Sequence, residues 1–247
     1  MAALTGTSGS LFRCLALQAA WSYERMQGVG MAWASAPVLR RLFEAQPDRY
    51  RAAVGRSAGF FNANPFLAPT AVGAFLRAES DDEPPAQIER LRTVLSGPLG
   101  ALGDRLYWTG LVPTMVALTL SAVTLGAGFW PVPALLLIHN GTRLWLGHWL
   151  LQLGWTHGQA VGTAMTASFL PRLAAAAGIS ATVSGAAAPL LVAAGALDGA
   201  AGLDVALVVG TVITALACRW FFGRQASALK FTLAAAVVAA LWHLGRS

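Results

Sequence analysis

The stretch GPLGALGDRLYWTGLVP, Gly97–Pro113, divides a charge-rich front half from an apolar back half. Of the 28 Asp, Glu, Lys and Arg residues, 20 lie at positions 1–105. From Leu106 to Thr142 there are none, a run of 37 residues. One helical crossing of a bilayer needs about 20. Within the stretch, Asp104 and Arg105 are followed at once by Tyr107, Trp108 and apolar residues. An ionisable pair at the lip of a hydrophobic segment is either an interfacial anchor or a functional site.

Working outward, the whole chain is 56% hydrophobic and 11% charged. A soluble domain is about one-quarter charged, so the composition is that of a membrane protein. The net charge of +6 is carried mostly by dispersed arginines, without a basic run or an aromatic-interleaved groove. Nucleic acid is therefore excluded as a partner, and membrane lipid is the expected one.

Behind Leu106–Thr142, with a break expected at Gly126–Ala134, the apolar pattern continues through Leu135–Trp155, which holds His139, Asn140, Arg143 and His148. Leu173–Leu197, Val205–Cys218 and Phe231–Leu244 follow as further candidate spans. The abundance of Gly, Ala, Ser and Thr in Ala160–Thr211 fits either close helix packing or compositional drift.

Ahead of it, Leu11–Phe43 has apolar residues at helical spacing interrupted by Arg13, Glu24, Arg25, Arg40 and Arg41. That pattern predicts amphipathic helices at an interface. Met1–Ser10 is small and polar, so no signal peptide is expected. Asp48–Arg56, Ala71–Arg77 and Gln87–Leu95 read as short helices, and ESDDEPP, Glu79–Pro85, as a solvated connector. Gly59–Pro69, GFFNANPFLAP, is different. Prolines disfavour helix at the residue before them, so Asn64 and Ala68 are expected at breaks. Broken backbone at membrane depth is tolerated only where it is buried in protein or lines a cavity. The predicted fold class is all-α: a polytopic membrane protein with an amphipathic or re-entrant helical half, 1–105, and a back half, 106–247, of about four to six membrane segments.

Several chemistries are missing. Cys14 and Cys218 have no CxxC or Cys/His spacing. The single lysine, Lys230, belongs to no phosphate-binding loop, and no GxSxG elbow occurs. The histidines form no compact metal pattern; His139 and His157 would share a face only on one unbroken helix, which Gly141, Gly147 and Gly154 argue against. No cofactor, metal or catalytic residue is predicted. The remaining polar residues in apolar or broken segments are Glu24, Gln27, Asn62, Asn64, Asp104, Asn140 and Arg143. Carboxylates and amides beside an aromatic such as Trp108 suit a sugar, whose hydroxyls need acceptors and donors while its apolar face stacks on a ring. Each residue equally suits a helix cap or an intramembrane hydrogen bond.

Four ordered segments are more specific: WSYERMQGVG (Trp21–Gly30), FFNANPFLAP (Phe60–Pro69), GPLGALGDRLYW (Gly97–Trp108) and HNGTRLWLGHWLLQLGWTHG (His139–Gly158). Over roughly residues 11–175 the chain resembles the enzyme IID component of the mannose/fructose/sorbose family of sugar phosphotransferase systems. The resemblance implies a multi-pass subunit of the bacterial cytoplasmic membrane, one IID-like domain over 1–247. It implies pairing with a IIC subunit to translocate a hexose, and a higher oligomer of such pairs. Phosphoryl transfer would belong to cytoplasmic IIA and IIB partners, so the chain would not be an enzyme on its own. By family analogy the IIC and IID subunits share the sugar site and move a transport core relative to a scaffold. Matched residue by residue, Glu24, Gln27, Asn62, Asn64, Asp104, Trp108, Asn140 and Arg143 become substrate-binding candidates, and Gly97–Pro113 a hairpin carrying Asp104 and Trp108. Asn64 stands where the family usually has Gln or His, and Val112 where members often have Arg. The tail after Leu173 is shorter than is usual. These departures leave a non-transporting membrane regulator as the alternative.

Overall fold

A computed structural model describes residues 7–196 and 205–222. Among these, every regular element is helical, and the only extended pairings are isolated bridges from Ser22 to Met26 and from Met26 to Phe61. Ten α-helices run in chain order: α1 Ser8–Leu15, α2 Gly28–Leu42, α3 Pro47–Ser57, α4 Ala68–Ser80, α5 Pro85–Gly103, α6 Val112–Ala122, α7 Pro131–His157, α8 Val161–Ala167, α9 Leu170–Ala196 and α10 Val205–Phe222. The expected segment Phe231–Leu244 lies outside the described residues.

The chain forms two compact units. Among the described residues, the first takes in 7–104 and Asn140–Pro171, the second Arg105–His139, 172–196 and 205–222. The front unit thus takes in part of the apolar back half of the sequence.

In the first unit α1 packs on α2, and α2 on α3 and α4. Met31, Leu39, Phe61, Leu67, Phe75, Leu76 and Leu151 are buried at its centre. The edge of Phe61 meets Phe75, with ring centroids 5.9 Å apart. At the polar rim, Arg56 of α3 grips Glu79 of α4 with both ends of its fork, at 2.8 and 2.6 Å. Glu79 is only 4% exposed, so this planar bidentate pairing is what makes its burial tolerable. The bond to Glu79 pushes the Arg56 guanidinium above its ordinary value, against a smaller effect of burial. Arg77–Asp81 and Arg49–Asp82 hold down the first residues of the acidic connector, at 2.5 and 2.7 Å. Being more exposed, these pairs contribute little stability.

Helix α7 is a single helix from Pro131 to His157, where its glycines had argued for a break. They have another use. A Cβ at Gly154 would fall on the Thr70 carbonyl oxygen, and one at Gly73 on the Leu151 carbonyl oxygen. The backbones of α4 and α7 therefore touch, the close approach that small residues permit between helices in lipid. His139 and His157 do sit on one helix, but in different units, and among the described residues no cluster of His, Cys, Asp or Glu is able to hold a metal.

The second correction concerns Gly97–Pro113. Instead of turning back as a hairpin, the chain stays helical from Pro85 to Ala127. Between α5 and α6, Asp104–Leu111 winds as wide π-helical turns. Pro113 explains the widening, because it lacks an N–H and its ring crowds the carbonyl four residues back, at Thr109. The reversal comes later, at wide turns over Val123–Ala127, where Gly126 and Gly128 have φ of +92° and +64°.

Pro85–Ala127 and Leu170–Val192 are long and apolar enough to cross a bilayer. In the second unit Leu125, Leu136, Leu137 and Ile138 are more than half exposed, and Phe129 and Trp130 at the reversal are 74% and 81% exposed. Leucine surfaces ending in an aromatic pair match a lipid boundary and its interfacial belt. Replacing Gly154 by Val should lower stability in detergent by about 1–3 kcal/mol, because backbone rather than a movable side chain opposes the new Cβ. Gly162→Ala, where an added Cβ meets nothing within 4 Å, is the control expected to melt like the wild type. Equal melting of both variants would contradict the helix contact.

Candidate functional site: the broken segment Gly59–Asn64

Between α3 and α4 the backbone leaves helical geometry, and each polar group it frees needs a partner. The first ordered segment, Trp21–Gly30, and α5 supply them, and the third ordered segment holds the side chain of Asn64. Ser22–Met26 forms a tight turn, with the Met26 amide 2.7 Å from the Ser22 carbonyl and Met26 itself at φ +50°. Such a conformation in a non-glycine residue persists only where its surroundings fix it. Glu24 and Arg25 occupy the exposed tip. Behind the turn, the Gln27 amide donates to the Phe61 carbonyl at 2.8 Å, and the Phe61 amide to the Arg25 carbonyl at 3.3 Å.

The Gln27 side chain is 1% exposed and works on the next residue but one. Its Nε2 donates to the Ala63 carbonyl at 2.6 Å, and its Oε1 accepts from the Ala63 N–H at 3.3 Å. One carboxamide thus satisfies a whole backbone residue. Asn64, 2% exposed, accepts from the Phe66 N–H at 3.0 Å and donates through Nδ2 to Asp104 Oδ1 at 2.8 Å. Gly103 lets α5 come this close, since a Cβ there would overlap the Asn64 side chain. Asp104 is itself exposed, and its Oδ2 is open to a further donor.

The structure therefore joins Asn64 to Asp104, and Gln27 to the backbone beside Asn62. The Asn62 side chain is exposed on the outer side of this clamp, next to the exposed ring of Phe60. Arg143 approaches from α7, donating to the Leu15 carbonyl at 2.7 Å with its guanidinium 5.0 Å from the ring centroid of Phe66. Asn140, one turn earlier, is exposed. Trp108 falls in the second unit and is half exposed.

Residue reasoning passed over two more contributors on α5. Arg92 donates to the Arg56 carbonyl, and the Ser96 hydroxyl to the Asn62 carbonyl. The usable signal for Arg92 was an arginine on an otherwise apolar face; Ser96 carried none.

Two concavities lie elsewhere. In the second unit a cavity of about 770 Å³ runs between α6 and α9 past Leu118, Leu125, Ile179 and Leu191. The hydroxyls of Ser121 and Ser184 bond back to their own helices at 2.8 Å, so its walls suit hydrocarbon. In the first unit a polar recess of about 350 Å³ sits where α4 and α7 end, beside Arg77, Asp81 and His157. Arg77 is already paired with Asp81 and stacked 5.8 Å from the ring centroid of Trp155.

Removing the Gln27 carboxamide in Gln27→Leu leaves both polar groups of Ala63 buried and unpaired. At about 1–3 kcal/mol per orphaned group, a clear drop in melting temperature is expected, and an unchanged melt would contradict the clamp.

Cys14 gives a pH-dependent check. Burial pushes its thiol from 9.0 up to about 12, partly offset by the charge of Arg143. A raised folded value means the folded state holds the proton more tightly, so this contribution is complete below pH 9 and is lost as pH rises towards 12. In a Cys218→Ser background, maleimide should leave Cys14 unlabelled at pH 7–8 until the protein unfolds. Rapid labelling of the folded chain would contradict its placement.

Comparisons with known proteins bear on the family and the fold. The mannose-specific EIID component of Escherichia coli K12 is 28% identical over 170 residues, covering 67% of this chain and 60% of the relative. The sorbose-specific EIID component of Lacticaseibacillus casei is 29% identical over 177 residues, covering 68% and 62%. The chain thus spans about three-fifths of the length of these relatives. A cryo-EM structure of the mannose transporter ManYZ with microcin E492 has a chain of the same fold. It superposes with a TM-score of 0.59 at 22% identity, over 98% of this chain and 97% of that one. The family model for the PTS system mannose/fructose/sorbose family IID component matches residues 7–196, which takes in all four ordered segments and most of the described helices. The chain belongs to that family of membrane components.

Proposed function

We propose that this chain, acting over 1–247 as one IID module, pairs with a IIC subunit in the bacterial cytoplasmic membrane and translocates a hexose that IIB phosphorylates. The observation that carries the reading is the Asn64–Asp104 hydrogen bond, which ties the second ordered segment to the third and leaves a carboxylate oxygen open beside the clamped backbone. A carboxylate with a free acceptor and an exposed carboxamide on Asn62 offer what vicinal hydroxyls need, acceptors and a donor at fixed positions. Preorganisation matters because groups that are already held lose little freedom when sugar binds.

In this reading Asn62 and Asp104 meet sugar hydroxyls, with Glu24 at the tip of the neighbouring turn as a further acceptor. Gln27 and Asn64 act on the sugar through the backbone they hold. Asn140 and Arg143 are further candidates in the same reading, and Trp108, in the second unit, is a candidate apolar wall. The phosphoryl group passes along IIA and IIB, and no residue of this chain forms a covalent intermediate. In this reading the continuous helix Pro85–Ala127, together with α7, α9 and α10, supplies four membrane segments among the described residues. Assembly proceeds to a higher oligomer of IIC–IID pairs.

The test is hexose uptake in cells carrying the partner subunits. Asp104→Ala and Asn62→Ala should each reduce uptake at limiting sugar by about tenfold or more, the effect of about 1.4 kcal/mol in binding, while leaving assembly with IIC intact. Unchanged uptake in both variants would overturn the site. Failure of the chain to co-purify with any IIC subunit would overturn the pairing and favour the non-transporting regulator.

A further inference from the structure

The peptide group joining Asn62 to Ala63 is held at both ends by side chains from different elements. Ser96 of α5 donates its hydroxyl to the Asn62 carbonyl, and Gln27 Oε1 accepts the Ala63 N–H. A peptide unit is planar, so holding its C=O and its N–H holds that plane, and because the Gln27 N–H also holds the Phe61 carbonyl of the preceding peptide, the ψ angle of Asn62 between the two planes is restricted. The direction of the Asn62 Cα–Cβ bond is fixed with it. One turn earlier on the same helix, Arg92 is 7% exposed and donates to the Arg56 carbonyl. Its guanidinium lies 5.4 Å from the ring centroid of Phe75, which in turn packs edge-on against Phe61. Arg92, Ser96, Leu99 and Gly103 are spaced by four, three and four, so they form one stripe along α5. That stripe meets the end of α3, then Asn62, then Asn64.

We propose that Ser96 and Arg92 are positioning residues for sugar recognition: α5 works as a ruler against Gly59–Asn64, and the Ser96 hydroxyl aims the Asn62 carboxamide. The inference rests on the transport reading above, and it assigns the pair a specific effect. Loss of the Ser96 hydroxyl frees the Asn62 peptide to rotate, which weakens sugar binding without touching the helices that move. Half-saturation rather than maximal rate should change.

The experiment uses Ser96→Ala, Ser96→Thr and Arg92→Lys in the full IIC–IID complex, with two readouts. In hydrogen exchange on the purified complex, amides 60–64 should exchange about tenfold faster in Ser96→Ala, the signature of a local opening made easier by about 1.4 kcal/mol, with α2 and α4 unchanged. In hexose uptake, KM should rise about tenfold in Ser96→Ala, with the maximal rate within about twofold of wild type. Ser96→Thr, which keeps the hydroxyl, should restore both. Arg92→Lys keeps the charge but loses the planar fork, and should speed exchange at 56–61 most. Wild-type exchange in Ser96→Ala overturns the clamp, and faster exchange with unchanged KM overturns its role in recognition. Equal impairment of the Ala and Thr variants overturns the hydroxyl as the cause. A wild-type complex that takes up no hexose contradicts the transport reading instead, and the exchange data still decide whether Ser96 holds Asn62.

Discussion

Once a backbone leaves helical geometry inside an apolar protein, it must find a partner for each N–H and C=O it uncovers, and Gly59–Asn64 is built around that constraint. The partners come from far away in sequence: Arg25 and Gln27 ahead of it and Ser96 behind it, with Arg92 holding the adjoining Arg56 carbonyl at the end of α3. Each reaches the segment only because a whole helix is in the right register. The conformation of six residues therefore specifies the packing of α2, α4 and α5 around them. The edge-to-face contact of Phe61 with Phe75 beneath supplies the apolar half of the same arrangement.

From this constraint follows the division between residues that hold and residues proposed to meet a ligand. Gln27 and Asn64 are buried with their polar atoms engaged. Asn62, Glu24 and one oxygen of Asp104 face outward. Rigid backbone beneath, with a few exposed polar ends above, is how a binding site avoids ordering itself anew for each ligand. The larger cavity between α6 and α9 lacks this pattern, since its serine hydroxyls are turned back on their helices.

Much of this was legible in the sequence, in a graded way. The all-helical class, the break before Pro65, the reversal near Gly126 and the family itself followed from charge distribution, proline chemistry and the four ordered segments. Two readings failed for one shared reason. Glycine and proline mark breaks in water, but in apolar helices glycine also marks where a neighbouring backbone comes close, and a wide turn accommodates proline. Gly154 against Thr70 and the π-helical turns ahead of Pro113 are those two cases. The position of Gln27 was legible while its action was not, because a glutamine that grips backbone and one that grips sugar look alike in sequence. Ser96 was invisible for the same reason. A serine on an amphipathic helix carries no mark of the carbonyl it will meet 34 residues away.

The central claim is that the clamped segment presents Asn62 and Asp104 to a sugar, and a map of the complex settles it most directly. The measurement is cryo-EM of the chain purified with its IIC partner in the presence of saturating hexose. The account predicts sugar density with a hydroxyl about 3 Å from the Asn62 carboxamide and another within the same distance of Asp104 Oδ2. Sugar density that contacts neither residue, over a Gly59–Asn64 backbone unchanged from that described above, would contradict it.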